Sequence, residues 1–350
     1  MLLTVQLLIR VILKLWRSYI KGLVYGRMKV KVYVKTPARL HFGLIDMNGD
    51  MGRFFGGLGV GIDRPNVILE AQPSESFSVT GEKTELVMSL AKRFLETYHI
   101  NANVSIHVKQ TIPEHAGLGS GTQLALAVAA ALAKLFQVTA PIQELSIAMG
   151  RMKRTGVGTA VFEQGGFVVD GGKRMKGGVV VAESFPPLIF RQPFPEDWKF
   201  VVAIPDVKKG LAKIEEKNAF GRLPLMPSDL VGEICRLIMM KLLPALIDRD
   251  IESFGDALTK IQVVVGDYFA GVQGGTFSSL AATAGIDFMK ACGAHGVGQS
   301  SWGSTVYGLV QGETKAKTIL SELEAFLQNN DGGQVFIANA NNRGATIKQV

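Results

Sequence analysis

Polar and apolar residues alternate over 28–35 (M-K-V-K-V-Y-V-K), the period of a half-buried strand. An apolar stretch over 38–45, interrupted by Arg39, His41 and Gly43, predicts a second strand, and the run G-G-L-G-V-G at 56–61 reads as a glycine-rich turn. Strands are expected over 67–71 and 103–109, with helical spacing over 84–98 between them. An Ala-rich apolar run predicts a helix over 120–136. Pro141, at a first-turn position, opens another over 142–153. Strands are expected near 160–169, 179–181, 199–204, 306–310, 334–338 and 344–348, and helices over 228–243, 246–265, 275–292 and 315–327.

Strand and helix runs mix without regular β–α–β alternation, so the predicted class is α+β. A chain of 350 residues suggests two domains. Pro186, Pro187, Pro193 and Pro195 mark the boundary, giving an N-terminal domain over 28–195 and a C-terminal domain over 196–350. Residues 1–27 form a basic extension. Its charges at Arg10, Lys14, Arg17 and Lys21 fall on one helical face, and its uncharged run is far shorter than the ~20 residues of a membrane span. It is either an amphipathic helix lying on a membrane or a partner, or it precedes a working protein that starts at Met28. The second reading is favoured.

Composition narrows the function. Apolar residues make up 47% and charged residues 19%, as in a folded protein with a sizeable core. Of the net charge of +8, residues 1–27 carry +5, leaving a mildly basic body with little electrostatic reason to bind nucleic acid. Cys235 and Cys292 lie in apolar stretches without metal-ligand spacing, so buried, reduced thiols and a cytoplasmic location are expected.

The candidate chemistry centres on E-H-A-G-L-G-S-G-T-Q (114–123), where glycines run into the helix at 120–136. A helix N-terminus offers N–H groups and partial positive charge, and glycine lets a phosphate approach. Gly117, Leu118, Gly119, Ser120, Gly121 and Thr122 are therefore candidate phosphate binders. The segment also reads as a plain capped turn, and it lacks the lysine of an ordinary P-loop. Arg39 and His41, two apart in a strand, share a face suited to an anion. Two more glycine-rich stretches, 154–172 and 293–307, place Arg154 and His295 beside bare backbone.

These motifs resemble those of the GHMP kinase superfamily. P-E-H-A-G-L-G-S-G-T resembles its second motif, T-P-A-R-L-H-F-G its first, and H-G-V-G-Q-S-S-W-G-S-T-V-Y its third. The resemblance implies a ribosomal-S5-domain-2-like N-terminal domain, a ferredoxin-like C-terminal domain and a site in the cleft between them. The finer features A-R-L-H-F-G-L-I-D and F-E-Q-G-G-F-V-V-D-G-G resemble one branch, the β-ribofuranosylaminobenzene 5′-phosphate synthases. That branch implies a phosphoribosyltransferase of methanopterin biosynthesis. It would join phosphoribosyl pyrophosphate to 4-aminobenzoate or 4-hydroxybenzoate, lose CO2 and pyrophosphate, and form a C-riboside, using Mg2+ and with a possible homodimer. The sequence departs from the kinases: Gly158 stands where many carry an acidic residue, and Arg39 where several carry Lys. The alternative is an ATP-dependent small-molecule kinase; a non-catalytic membrane or nucleic-acid binder is the reading from another class. Under the synthase reading Arg39, Arg53 and Arg154 bind anions, and His41 and His295 contact substrate or move a proton. Asp46 and Glu163 serve a metal or ribose hydroxyls, with Ser120 a second metal candidate, and Asp170 serves a turn.

Overall fold

A computed structural model describes residues 30–206, 223–330 and 332–350. The extension read over 1–27 lies outside the described residues. The chain runs β1 (Val32–Lys35), β2 (Ala38–Asp46), β3 (Arg53–Ile62), β4 (Ile68–Pro73), β5 (Ser78–Gly81), α1 (Thr84–Thr97), β6 (Val104–Gln110), α2 (Ser120–Phe136), α3 (Ile142–Ala148), α4 (Val157–Gln164) and β7 (Phe167–Asp170). Short strands β8 (Lys173–Lys176), β9 (Val179–Val180) and β10 (Leu188–Gln192) precede β11 (Trp198–Pro205). Then come α5 (Ser228–Leu237), a π-helical turn (Ile238–Leu242), α6 (Leu243–Asp248), α7 (Ile251–Gln273), α8 (Leu280–Ala291), β12 (Gly296–Gln299), β13 (Val306–Gln311), α9 (Glu313–Gln328), β14 (Gly333–Asn339) and β15 (Thr346–Gln349).

Three sheets organise this α+β fold. The first has the order β15-β1-β4-β6-β5, so the end of the chain returns to complete the sheet of the N-terminal half. α2 lies against β1 and β4 and touches α1, α3 and α4. Every residue from Gln123 to Ala133 is buried, which explains why its sequence is apolar on all sides after Gln123. The third sheet, β12-β13-β11-β14, is buried on both faces. The strand period of two sends Phe200 and Val202 of β11 into the main core, and Val201 and Ala203 into a second core beneath α8 and α9.

Several local expectations are corrected. The glycines at 56–61 form not a turn but part of β3, where Gly57, Gly59 and Gly61 share one face. A β-carbon at Gly57 would lie 2.9 Å from Thr155 Cγ2, and one at Gly61 would lie 3.1 Å from Val161 Cγ1. The bare face thus seats α4 and the loop before it directly on the sheet. Of residues 160–169, expected as strand, 160–164 belong instead to α4 on that seat, and the strand β7 starts only at Phe167. The helix read over 142–153 stops at Ala148 because Gly150 turns into the left-handed region, at φ 70°. Cys235, expected buried, is exposed, and Cys292 is half-buried; both are free. Among the described residues no helix is long and apolar enough to cross a membrane.

Candidate active site

The two glycine-rich loops ahead of α2 and after β12 interlock through their backbones. Gly117 takes φ 82°, and a β-carbon there would collide with the Ser300 carbonyl; one at Gly303 would collide with Ala116. The Ser300 hydroxyl donates to the Gly117 carbonyl at 2.6 Å and accepts from the His41 N–H at 3.0 Å. The Ser301 N–H donates to the His41 carbonyl at 3.1 Å, and the Thr305 N–H to the Ala116 carbonyl at 3.1 Å. Gly119, at φ 83°, caps α2 and admits the Arg39 stem: a β-carbon there would lie 2.9 Å from Arg39 Cγ. An Arg39 guanidinium nitrogen donates to the Gly117 carbonyl. The bare backbone at 117 and 119 therefore receives protein, and Arg39 is bolted to the α2 N-terminus.

Beside this junction opens a cavity of about 620 Å3. Strand β2 contributes Arg39 and His41, α2 contributes Thr122, and the loop between α3 and α4 contributes Arg151, Lys153 and Arg154. The facing wall comes from α7, whose Gln262, Val265, Phe269 and Gln273 recur at helical spacing, joined by Phe277 and Trp302. The Phe269 and Trp302 rings meet edge to face at 4.9 Å. One cavity thus combines a cationic side with an aromatic side.

His41 is buried, and burial, reinforced by the charge of Arg39, holds its imidazole well below the usual histidine range. It is neutral at physiological pH, with Nε2 3.3 Å from Thr155 Oγ1. Arg151 packs on the first turn of α2, where its Nε donates to Thr122 Oγ1 at 3.3 Å. Burial lowers its pKa, yet an arginine keeps its charge. Asp170 sits outside the cavity but fixes its wall. Its carboxylate accepts the Gly156 N–H at 2.8 Å and the Gly172 N–H at 3.0 Å, with the Gly57 and Val157 N–H groups also donating. Burial pushes it up to about 7 against those four donors. It does more than serve a turn, since it ties α4 to β3 and β7.

The structure divides the sequence candidates. Arg39, His41, Thr122 and Arg154 line the cavity; Arg53, Asp46, Glu163 and His295 do not. Arg53 donates to the Gly172 carbonyl at 2.9 Å, and Asp46 accepts the Asn48 and Gly49 N–H groups at 2.7 and 2.9 Å. The Glu163 carboxylate accepts from Gln143 at 3.0 Å, and His295 begins the turn into β12, pairing its N–H with Leu309. Gly158 lies in the first turn of α4, where a β-carbon would be 3.2 Å from Thr122 Cγ2, so the acid absent from this chain would have faced the mouth of α2. Among the described residues no cluster of three metal-ligating side chains exists, and none of the described lining residues is a carboxylate. Ser120 does not line the cavity and Thr122 offers only a hydroxyl, so the lining does not fit a magnesium ion held by the protein's own carboxylates. Sequence reasoning missed Arg151, Lys153, Phe269 and the linking role of Ser300. The run R-M-K-R between Gly150 and Thr155 was the available signal.

Comparison with known proteins agrees with this architecture. Residues 85–166 match the GHMP kinases N terminal domain and residues 242–329 the GHMP kinases C terminal domain. A homoserine kinase from Cytophaga hutchinsonii superposes with a TM-score of 0.62 at 18% identity, over 92% of this chain and 98% of that one. Fold and cavity together define a two-domain protein of the GHMP kinase type. Within that class, a beta-ribofuranosylphenol 5′-phosphate synthase of Archaeoglobus fulgidus is 35% identical over 326 residues, covering 90% of this chain and 99% of the relative. One from Methanothermobacter thermautotrophicus is 32% identical over 336 residues, covering 91% and 99%. The chain belongs to the beta-ribofuranosylphenol 5′-phosphate synthase family.

Proposed function

We propose that this cytoplasmic enzyme joins phosphoribosyl pyrophosphate to 4-hydroxybenzoate, releasing pyrophosphate and CO2 and forming β-ribofuranosylphenol 5′-phosphate, a C-riboside of the methanopterin route. The relatives carry that product in their names. The observation that carries the reading is the two-sided cavity: Arg39, Arg151, Lys153 and Arg154 gather on one side, with Phe269 and Trp302 on the other.

The reaction needs this combination. The bond between ribose C1 and pyrophosphate breaks, and the pyrophosphate leaves with the electron pair. Fixed cations stabilise that departing charge best in a site that excludes water. The ring carbon bearing the carboxylate forms the new bond to C1, assisted by electron donation from the para hydroxyl. The bond to the carboxyl carbon then breaks, and its electron pair restores aromaticity as CO2 leaves. No proton is taken from either substrate, so the step needs no general base, and a neutral His41 suits a positioning role. Holding the ring against C1 supplies much of the remaining acceleration. Magnesium, in this proposal, arrives on the pyrophosphate group. The homodimer implied by the resemblance belongs to the same proposal and is read from the mass in solution.

A phosphoryl-transfer reading is disfavoured by the cavity chemistry, because none of the described lining residues is a carboxylate and His41, held well below the usual histidine range, is a weak base for a hydroxyl proton. The test supplies Mg2+, phosphoribosyl pyrophosphate and carboxyl-labelled 4-hydroxybenzoate to the full chain and counts released CO2. Release that requires both substrates is expected. No release, together with ATP-dependent phosphorylation of a small alcohol, would return the protein to the kinases.

A further inference from the structure

Three features of the loop between α3 and α4 bear on the cavity. Met152 is buried yet takes φ 59°, a conformation that costs a non-glycine residue of order 1 kcal/mol or more. The chain around it is pinned tightly: the Arg151 N–H donates to the Ser146 carbonyl at 2.8 Å, the Gly150 N–H to Ile147 at 2.8 Å, and Arg93 Nε to the Ala148 carbonyl at 2.5 Å. The strained, pinned loop seats Arg151 on the first turn of α2. The α2 residue beneath it is glycine. A β-carbon at Gly121 would lie 3.3 Å from Arg151 Nη2 and 3.5 Å from Nη1. Gly121 does not have a positive φ, so backbone conformation does not demand a glycine there; the guanidinium is what occupies the space.

The geometry points to Arg151, seated on Gly121 and tied to Thr122, as the principal ligand of the pyrophosphate group, a role no sequence motif assigns to it. Its Nε is engaged by the Thr122 hydroxyl, which fixes the plane of the guanidinium. The two Nη groups then flank the α2 N-terminus, so a charge-assisted fork and the helix dipole act on the same anion. Arg39, by contrast, donates to the Gly117 carbonyl and braces the interlocked loops. The assignment rests on the reading of the substrate as a diphosphate ester, but its test needs no turnover.

Inorganic pyrophosphate is titrated calorimetrically into the full chain in dilute Mg2+, with thermal melts confirming that each variant folds. Arg151→Met should weaken binding about 10- to 100-fold, the range for one charge-assisted hydrogen-bonding group. Arg151→Lys, which keeps the charge and loses the fork, should recover only part of it. Gly121→Val should also weaken binding by displacing the guanidinium, and should do nothing more once Arg151 is Met, as required if the two positions act through one contact. If Arg151→Met fails to fold, Arg151→Gln, polar and uncharged, takes its place both alone and as the background for Gly121→Val. Parental affinity in Arg151→Met, no binding by the parent, or an equal Gly121→Val effect in both backgrounds overturns the assignment. Arg151-dependent binding without CO2 release would leave it standing and remove only the reaction.

Discussion

The Ser300 hydroxyl donates to the Gly117 carbonyl, 183 residues away in sequence, at 2.6 Å, while the His41 N–H, 259 residues away, donates to it at 3.0 Å. Ser300 is fully buried, so no water replaces either bond when the hydroxyl is removed. Ser300→Ala should destabilise the fold by roughly 1–3 kcal/mol, the cost of stranding a buried N–H. Activity should fall further than stability explains, because the same bonds register β2 against the α2 N-terminus. Chemical denaturation paired with the CO2 assay on the folded variant checks this; an activity loss that tracks only the folded fraction would confine Ser300 to stability.

Asp170 couples stability to pH. Its carboxyl is pushed from 3.8 up to about 7, so the native state holds a proton that the unfolded chain has already released over that interval. The stabilisation is fully present below about pH 4 and is lost as pH rises through about 7, an effect on the order of 4 kcal/mol. Asp170→Asn should flatten this slope between pH 4 and 7. It should also weaken the fold at all pH values, since an amide presents one acceptor atom where the four N–H donors meet two. Urea unfolding of both proteins at several pH values measures the difference, and parallel curves would show that Asp170 does not titrate in this range.

His41 contributes with the opposite sign. Its imidazole is held well below 6.5, so the unfolded chain binds the proton first as pH falls, and native stability drops below about pH 6.5. The ring resonances of His41 should therefore show no titration between pH 8 and 6 in the native protein. A midpoint near 6.5 by NMR would mean that the ring is not buried as described.

Trp302 packs edge to face on Phe269 at the aromatic side of the cavity. Trp302→Ala should raise KM for the benzoate about tenfold, ~1.4 kcal/mol, and leave KM for the phosphoribosyl donor near its starting value. Equal rises for both substrates would mean that the aromatic wall is not the ring's subsite.

The parts of this protein that could be read in its sequence are those whose cause is local. The helix at 120–136 follows from an unbroken Ala-rich run behind a glycine entry, and Arg39 and His41 share a wall because strand residues two apart must. The parts that could not be read depend on contacts between distant segments. Gly57, Gly59 and Gly61 look like a turn until α4 is known to lie on them, although their spacing of two was the mark of a strand face. Arg151 was hidden because the helix of α3 seemed to run through Gly150 to Lys153, which would have put Arg151 and Lys153 on different sides of a cylinder. Asp46 and Glu163 have the right chemistry for a metal, but their carboxylates are directed to the Asn48 and Gly49 N–H groups and to Gln143, which no spacing reveals.

Gly158 offers a test that separates fold from chemistry. It lies in the first turn of α4, where an acidic side chain favours the helix dipole, so Gly158→Asp should leave stability unchanged or raise it by a few tenths of a kcal/mol. Its β-carbon would sit 3.2 Å from Thr122 Cγ2, which requires a small shift of that methyl group and places a carboxylate beside Thr122 and the Arg151 that donates to it. That carboxylate would compete with pyrophosphate for the guanidinium and repel the leaving group as its charge develops. CO2 release should therefore fall by at least about tenfold, ~1.4 kcal/mol, with the larger part in kcat. Gly158→Asn, similar in size and uncharged, should retain most of the activity. If both variants lose activity equally, crowding at Thr122 rather than charge is responsible, and the absence of an acid at this position would not explain how the site differs from a kinase.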